Sequence, residues 1–243
     1  MILNDNERID IVPGTNYKII QNKKRFSYGT DAIFLSHFVK PLGRIIDLGT
    51  GTGIIPLRMI DRGNVGEIYG VEIQREVAEM AKRSVDLNNL QDRIKILHMD
   101  LKELPEIFPK ASFDCVTSNP PYMKSGGAII NLDGNFAISR HEINCNLEDI
   151  IRIAQYLLKP QGKFYMVHRP DRLVDILCTM REYKIEPKYI RFVQAKLGKK
   201  PNLLLIEGMK GGKAELKFHE PLIVYNKDGS YTEEIHRIYY DSK

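Results

Sequence analysis

Residues 43–53 constrain the fold more than any other stretch of the chain. The short apolar run Gly43-Arg44-Ile45-Ile46-Asp47-Leu48 feeds Gly49-Thr50-Gly51-Thr52-Gly53, and residues 54–62 follow with helical spacing. A strand that passes through a glycine-rich turn straight into a helix opens a βαβ unit, because glycine accepts the sharp backbone conformations such a turn needs. The alternation then continues. Residues 67–72 read as a strand, and residues 76–88 place Val77, Met80, Ala81, Ser84 and Val85 on one helical stripe. Residues 93–98 and 112–118 are two further strands. Asn146 is suited to cap a helix whose shared face carries Leu147, Ile150, Ile151, Ala154, Leu157 and Leu158. Lys159-Pro160-Gln161-Gly162 ends that helix before a strand at 162–168. An amphipathic helix at 172–183 precedes two apolar runs, 189–195 and 202–209, joined by a basic loop. Upstream, residues 31–40 form a candidate helix with Thr30 or Asp31 as its cap. The order predicts a doubly wound, mostly parallel α/β sheet with helices on both faces and a C-terminal antiparallel hairpin at one edge.

A chain of 243 residues, 43% apolar and 28% charged, can bury a full core in one α/β domain with small additions. No apolar stretch approaches the roughly 20 residues that span a bilayer. The first residues lack a basic flank and an apolar segment of signal length, so a cytoplasmic protein is expected. Cys115, Cys145 and Cys178 are neither paired by pattern nor grouped for zinc, which suits a reducing compartment and predicts no metal. The net charge is +5, and the segment 181–217 holds ten Lys/Arg against four Asp/Glu. That segment therefore carries +6 and the remainder −1. A basic segment on a near-neutral body is either a phosphate-binding surface or a solvated face.

In an open α/β sheet, ligands sit beyond the carboxyl ends of the strands where strand order reverses. Gly49, Gly51 and Gly53 fall there, within Asp47, Leu48, Gly49, Thr50, Gly51, Thr52 and Gly53. Asp47 can accept a hydrogen bond from a ligand or a loop amide. Glu72 ends the second strand 19 residues after Gly53, where a carboxylate can take both hydroxyls of a ribose. Asp100 follows the third strand and could accept from an adenine amine while Ile73 and Leu101 flank the ring. Each has a plainer alternative: Glu72 as a surface residue, Asp100 as a helix cap. There is no Gly-Lys-Ser/Thr for a triphosphate, and the spacing is G-x-G-x-G, not the dinucleotide G-x-G-x-x-G. Residues 47–53, Glu72 and Asp100 resemble the S-adenosylmethionine site of class I methyltransferases. The resemblance implies a Rossmann-like, seven-stranded sheet over about residues 43–209, six strands parallel and one antiparallel.

About seventy residues after Asp47, Asn119-Pro120-Pro121-Tyr122 closes an apolar run. A conjugated amine is a poor nucleophile because its lone pair is delocalised. The Asn119 side-chain oxygen and the Pro120 carbonyl could accept its two N–H bonds and favour a pyramidal nitrogen. The consecutive prolines hold those acceptors in place, and Tyr122 offers a face for a planar base. The plainer alternative is a turn ending a strand. The motif resembles that of adenine-N6 methyltransferases and of glutamine-N5 methyltransferases acting on release factors, and it excludes neither. Only about forty residues precede Ile45, less than the helical domain of the release-factor enzymes. The chain also has no room for the separate target-recognition domain of DNA adenine methyltransferases.

The chain is most similar to the bacterial tRNA1(Val) adenine-N6 methyltransferase family. The likeness rests on Arg25-Phe26-Ser27-Tyr28-Gly29-Thr30-Asp31-Ala32, residues 119–122, Arg140-His141-Glu142, and the tail Pro221-Leu222-Ile223-Val224-Tyr225 with Tyr231-Thr232-Glu233-Glu234. It implies methylation of an adenosine in the anticodon stem-loop of a valine tRNA, without an obligate protein partner. Tyr28, Gly29 and Thr30 would then cover the methionine part of the cofactor. Residues 1–40 would form an extension over the cofactor and substrate site, and residues 41–243 the methyltransferase domain with its basic hairpin and tail. Lys23, Lys24, Arg25, Arg140, Lys196, Lys199, Lys200, Lys210 and Lys213 are the expected phosphate contacts. Residues 125–135, glycine-rich and without helical spacing, are expected to form a mobile lid. His141 and His168 are not required, since methyl transfer from a sulfonium needs no strong general base. The rival readings are a protein glutamine-N5 methyltransferase and a non-catalytic RNA-binding module.

Overall fold

The computed structural model describes residues 3–22, 27–121 and 146–240. It opens with an antiparallel pair, β1 (Glu7–Ile11) and β2 (Lys18–Asn22), and then α1 (Thr30–Phe38). The alternating core follows: β3 (Leu42–Leu48), α2 (Ile54–Met59), β4 (Asn64–Glu72), α3 (Arg75–Leu87), β5 (Ile94–His98), α4 (Leu104–Ile107) and β6 (Phe113–Ser118). After residues 122–145 come α5 (Leu147–Leu157), β7 (Leu158–His168), α6 (Leu173–Glu182), β8 (Ile185–Lys196) and β9 (Pro201–Lys210). Two short strands, β10 (Lys217–Phe218) and β11 (Leu222–Tyr225), and α7 (Glu233–Tyr240) complete the described residues.

The main sheet runs β10-β8-β9-β7-β6-β3-β4-β5, with β11 also on β8. Seven of these strands match the expectation, and β9 alone is antiparallel to its neighbours. The terminal hairpin does not simply end the sheet. β9 inserts between β7 and β8, and β10 and β11 cover the outer edge of β8 in parallel. That edge would otherwise present unpaired amides to solvent. Strand order reverses between β3 and β6, so the switch point of the sheet lies there.

Local signals explain most elements. On α3, the expected stripe Val77, Met80, Ala81, Ser84 and Val85 is buried. Asn146 caps α5 as expected, accepting from the Asp149 amide at 2.9 Å, and Asp149 reciprocates. Two boundaries differ from expectation. β7 starts at Leu158, four residues early, because Gln161 takes φ +64° and a register shift absorbs the extra residues. Neither Thr30 nor Asp31 caps α1; Gly29 holds that position and no side chain caps it.

The β1–β2 pair is absent from the sequence expectation and has a clear physical basis. β2 docks on α3, where Ile20 packs against Val77 and Met80. The Asn88 amide donates to the Lys18 carbonyl and accepts from the Lys18 amide at 2.8 Å, standing in for a neighbouring strand. Ser84 Oγ takes the Ile20 amide at 2.9 Å. A two-point ion pair from Arg83 to Glu7 fixes the near end and holds the Glu7 carboxyl below its ordinary value. The N-terminal segment is thereby fastened to the helix that follows Glu72.

Candidate active site

Sheet register brings the sequence-predicted residues together. Leu48 pairs with Ser118 on one side and with Val71 on the other, and Val71 pairs with Leu97. Gly49, Asn119 and Glu72 therefore leave the sheet in one row, on adjacent strands about 4.8 Å apart. The Asn119-Pro120 corner and the glycine turn face each other across the switch point. Two side chains tie the corner down: Ser118 Oγ donates to the Leu48 carbonyl at 2.9 Å, and Thr117 Oγ1 donates to Asp47 Oδ1 at 2.6 Å.

The turn itself is built to leave space. Gly49 and Gly51 adopt φ of +75° and +57°, and a Cβ on either would meet no protein atom within 4 Å. The amides of Gly49 and Thr50 both donate to the Val71 carbonyl. Gly70 lacks the Cβ that would come within 2.9 Å of the Thr50 side chain, so the turn sits directly on β4. Leu48 is a buried core residue at the end of β3.

Charge in this crevice is unbalanced. Asp47 is completely buried and Glu72 nearly so. Burial, and then the neighbouring Glu72, push the Asp47 carboxyl up to about 6, against the opposing effect of Thr117. Thr50 also opposes the rise, and Asp47 Oδ2, Thr50 Oγ1 and Thr52 Oγ1 are buried with no hydrogen-bond partner among the described residues. Glu72 accepts the amides of Gly51 at 3.0 Å and Gln74 at 2.9 Å; burial raises its carboxyl. A carboxylate oxygen has two acceptor positions, so capacity remains. Two orphaned hydroxyls and an orphaned oxygen of Asp47, with buried Glu72 beside them, fit a ligand that brings hydrogen-bond donors and positive charge.

Other predicted residues fall into place less uniformly. Ile73 is 41% exposed and Leu101 half-buried, leaving apolar surface beside Glu72. Asp100 accepts the Lys102 amide at 2.9 Å and pairs with Lys102 Nζ at 3.3 Å, so its cap role is real. Tyr28 and Gly29 reach the same end of the sheet through buried Gln21, whose Oε1 accepts the Tyr28 amide at 2.9 Å. Asp10 accepts from the other end of Gln21. Burial raises the Tyr28 hydroxyl. Thr30 starts α1 at that end. His168 is buried at the end of β7, its Nδ1 accepting the Arg169 amide at 2.8 Å, and desolvation lowers its ring to about 4. The ring is neutral at physiological pH.

The expected phosphate contacts separate. Lys196, Lys199 and Lys200 surround the β8–β9 turn at the site end of the sheet, with Lys199 and Lys200 exposed. Lys210 does not join them. It lies at the opposite end of β9, where its Nζ donates to the carbonyls of Gln155 and Leu158 at the end of α5. Lys213 lies beyond it at that far end, its carbonyl accepting from Lys188. Tyr122, Lys23, Lys24, Arg25, Arg140, His141 and the expected lid at 125–135 lie outside the described residues. Among the described residues there is no group of His, Cys, Asp and Glu able to hold a metal, and no helix long and apolar enough to cross a membrane.

Sequence reasoning missed Thr117 and Ser118, which tie the Asn119 corner to β3. The signal was present: two hydroxyl residues ending an apolar strand are costly unless both find partners.

Comparison with known proteins identifies the family. A methyltransferase-domain family matches residues 40–213. A tRNA1(Val) (adenine(37)-N6)-methyltransferase from Porphyromonas gingivalis is 30% identical over 239 residues, covering 94% of this chain and 93% of that one. One of the same designation from Tolumonas auensis is 28% identical over 225 residues, covering 90% of each. Among solved structures, a predicted O-methyltransferase from Agrobacterium tumefaciens superposes with a TM-score of 0.68 at 23% identity, covering 86% of this chain and 94% of that one. The last likeness is one of fold.

Proposed function

The chain belongs to the methyltransferase-domain family and is an S-adenosylmethionine-dependent methyltransferase, and from that premise we propose that it methylates the N6 amine of an adenosine in tRNA. The observation that carries the reading is the single row of Gly49, Asn119 and Glu72 across the switch point. The relatives' designation supports position 37 of tRNA1(Val) as the target.

The residues present fit the cofactor. Asp47, with Thr50 and Thr52 beside it, would take the ammonium of its amino-acid part. Glu72 would take the ribose hydroxyls, Ile73 and Leu101 would flank the adenine, and Asp100 would keep one carboxylate oxygen for the ring amine. Tyr28, Gly29 and Thr30, held by Gln21, would cover the methionine end, so the first forty residues act as a cover over the site. When bound, S-adenosylmethionine supplies an electrophilic methyl group on a sulfonium.

The chain's own part is orientation. Asn119 Oδ1 and the Pro120 carbonyl accept the two N–H bonds of the target amine, turning its lone pair toward the crevice beside Gly49. Pro120 and Pro121 would set these acceptors before substrate arrives, and Tyr122, outside the described residues, would offer its ring to the base. Buried, neutral His168 is spared from proton transfer. The target base must leave its stack, which a loop of RNA makes less costly than a duplex.

Purified protein incubated with labelled S-adenosylmethionine and either unmodified bulk tRNA or a release factor tests the reading. N6-methyladenosine in the tRNA digest supports it. Methylglutamine, or no transfer to either substrate, overturns it. Asn119→Ala should abolish turnover while cofactor affinity stays within a few-fold.

A further inference from the structure

The described residues contain a cavity at the same end of the sheet that shares only Thr30 with the residues assigned above. It measures about 110 Å³ and is lined chiefly by Thr30, Asn202, Val224, Tyr225, Tyr231 and Tyr239. Three of those residues form a stack. Tyr225 and Tyr231 rings lie 5.3 Å apart at 16°, and Tyr231 and Tyr239 lie 5.8 Å apart at 15°. Offset stacking of this kind builds a flat, preorganised aromatic surface at low entropic cost. Tyr225 is the most open of the three, at 37% exposure.

Two further observations point to what the surface takes. Asn202 Oδ1 is buried and has no hydrogen-bond donor among the described residues. Such an acceptor is costly to leave empty, and it suits a flat ring carrying an N–H group. The rim is also cationic: Tyr225 pairs in register with Lys196, and Lys199 and Lys200 stand exposed on the turn just beyond. In the sheet, β9 is separated from β6 by β7 alone; Asn119 is level with Leu205 and Asn202 lies three residues further along β9, so the two are about 14 Å apart. One looped strand can reach both.

We propose that the Tyr225–Tyr231–Tyr239 stack and Asn202 form a nucleobase subsite that receives an unstacked neighbour of the target base, with the lysines of the β8–β9 turn on its phosphates. The subsite rests on the tRNA reading above and extends it. Extracting one base from a loop strips its neighbours of stacking, and an aromatic platform replaces what is lost without selecting strongly for sequence.

The test uses the full chain with an unmodified tRNA1(Val) transcript, and with anticodon stem-loops carrying 2-aminopurine at each nucleotide flanking the target. The expected result is quenching at one flanking position on binding. Tyr225→Ala should remove that quenching and raise KM for tRNA about tenfold, with cofactor affinity unchanged. Tyr225→Phe should behave as wild type, since stacking needs the ring and not the hydroxyl. Asn202→Leu should weaken tRNA binding several-fold and keep part of the quenching. If wild type methylates the transcript and Tyr225→Ala matches it in KM and quenching, the subsite alone is wrong. If wild type neither binds nor methylates the transcript, the subsite and the tRNA reading fall together.

Discussion

The two ends of α2 treat buried polar atoms in opposite ways. Just before its start, Asp47, Thr50 and Thr52 keep three buried oxygens without a partner among the described residues. At its end, Arg58 is also buried, at 7% exposure, yet each guanidinium nitrogen is used. Its Nε donates to Ser36 Oγ at 2.7 Å and its Nη2 to the Ile238 carbonyl at 3.0 Å, while Nη1 donates to the Pro13 carbonyl. Burial, then repulsion from Arg62, lowers Arg58 to about 10, so it stays charged at pH 7. The difference separates architecture from ligand binding. Arg58 ties the N-terminal segment, α1 and the last turn of α7 to the core, whereas the unpartnered set beside the glycine turn is left open in the way a ligand-binding crevice requires.

Arg58→Met should produce the largest effect, because it strands three buried acceptors at about 1–3 kcal/mol each. A loss of roughly 3 kcal/mol or more is expected in urea denaturation. Amide exchange should accelerate at Gly14 and around residues 235–240 before the sheet opens. A loss below about 1 kcal/mol would mean that the carbonyls find other donors and that the contrast is illusory.

Asp47→Asn should act in the opposite sense on the free protein. The folded carboxyl lies near 6 and its ordinary value is 3.8, so the native state holds a proton that the unfolded chain releases between those values. Stability contributed by this group is complete below about pH 4 and is lost as pH rises to about 6. At pH 7 the free enzyme carries that cost, on the order of 2–3 kcal/mol, and the asparagine removes it. Thermal unfolding without ligand should therefore shift upward. S-adenosylmethionine affinity should fall about a hundredfold, because a buried charge pair loses one member. A variant that is less stable and still binds would place Asp47 among the structural residues.

The same titration predicts a slope in wild type. A cationic ligand draws the Asp47 carboxyl back down, so binding releases a proton below pH 6. S-adenosylmethionine affinity should drop up to tenfold per pH unit between pH 6 and about 4, and titration calorimetry in two buffers should detect the released proton. Asp47→Asn should flatten that slope. An unaltered slope in the variant would assign the proton to Glu72, whose carboxyl is raised in the same direction.

These contrasts also show what sequence can and cannot reveal. The parallel core, the α3 stripe and the Asn146 cap are local patterns, and each was legible within a dozen residues. The glycine turn and the Asn119-Pro120 corner were legible because their backbones need unusual residues. Partners that meet only through the fold were not. Arg58 reaches Ile238 across 180 positions, and nothing near either residue announces it. The β1–β2 pair was hidden for the same reason, since its strands gain a partner only once Asn88 and Ser84 are in place. Lys210 illustrates the reverse error. Charge counting grouped it with Lys199 and Lys200, but β9 carries it to the far end of the sheet.

His168 gives the sharpest small test, because it stands at the site end of β7 and is nevertheless partnered. Its ring accepts the Arg169 amide, and burial, then the Arg172 charge, lower its titration to about 4. By the criterion drawn from α2, a satisfied group is structural even beside the chemistry. His168→Gln keeps an acceptor and should cost about 1 kcal/mol of stability, the worth of one hydrogen bond. The rate of methyl transfer should stay within about threefold, and the pH–rate profile should keep its shape between pH 5 and 8. A loss of a hundredfold, or a lost limb of that profile, would make His168 a participant and show that saturation of hydrogen bonds does not mark a residue as architectural here.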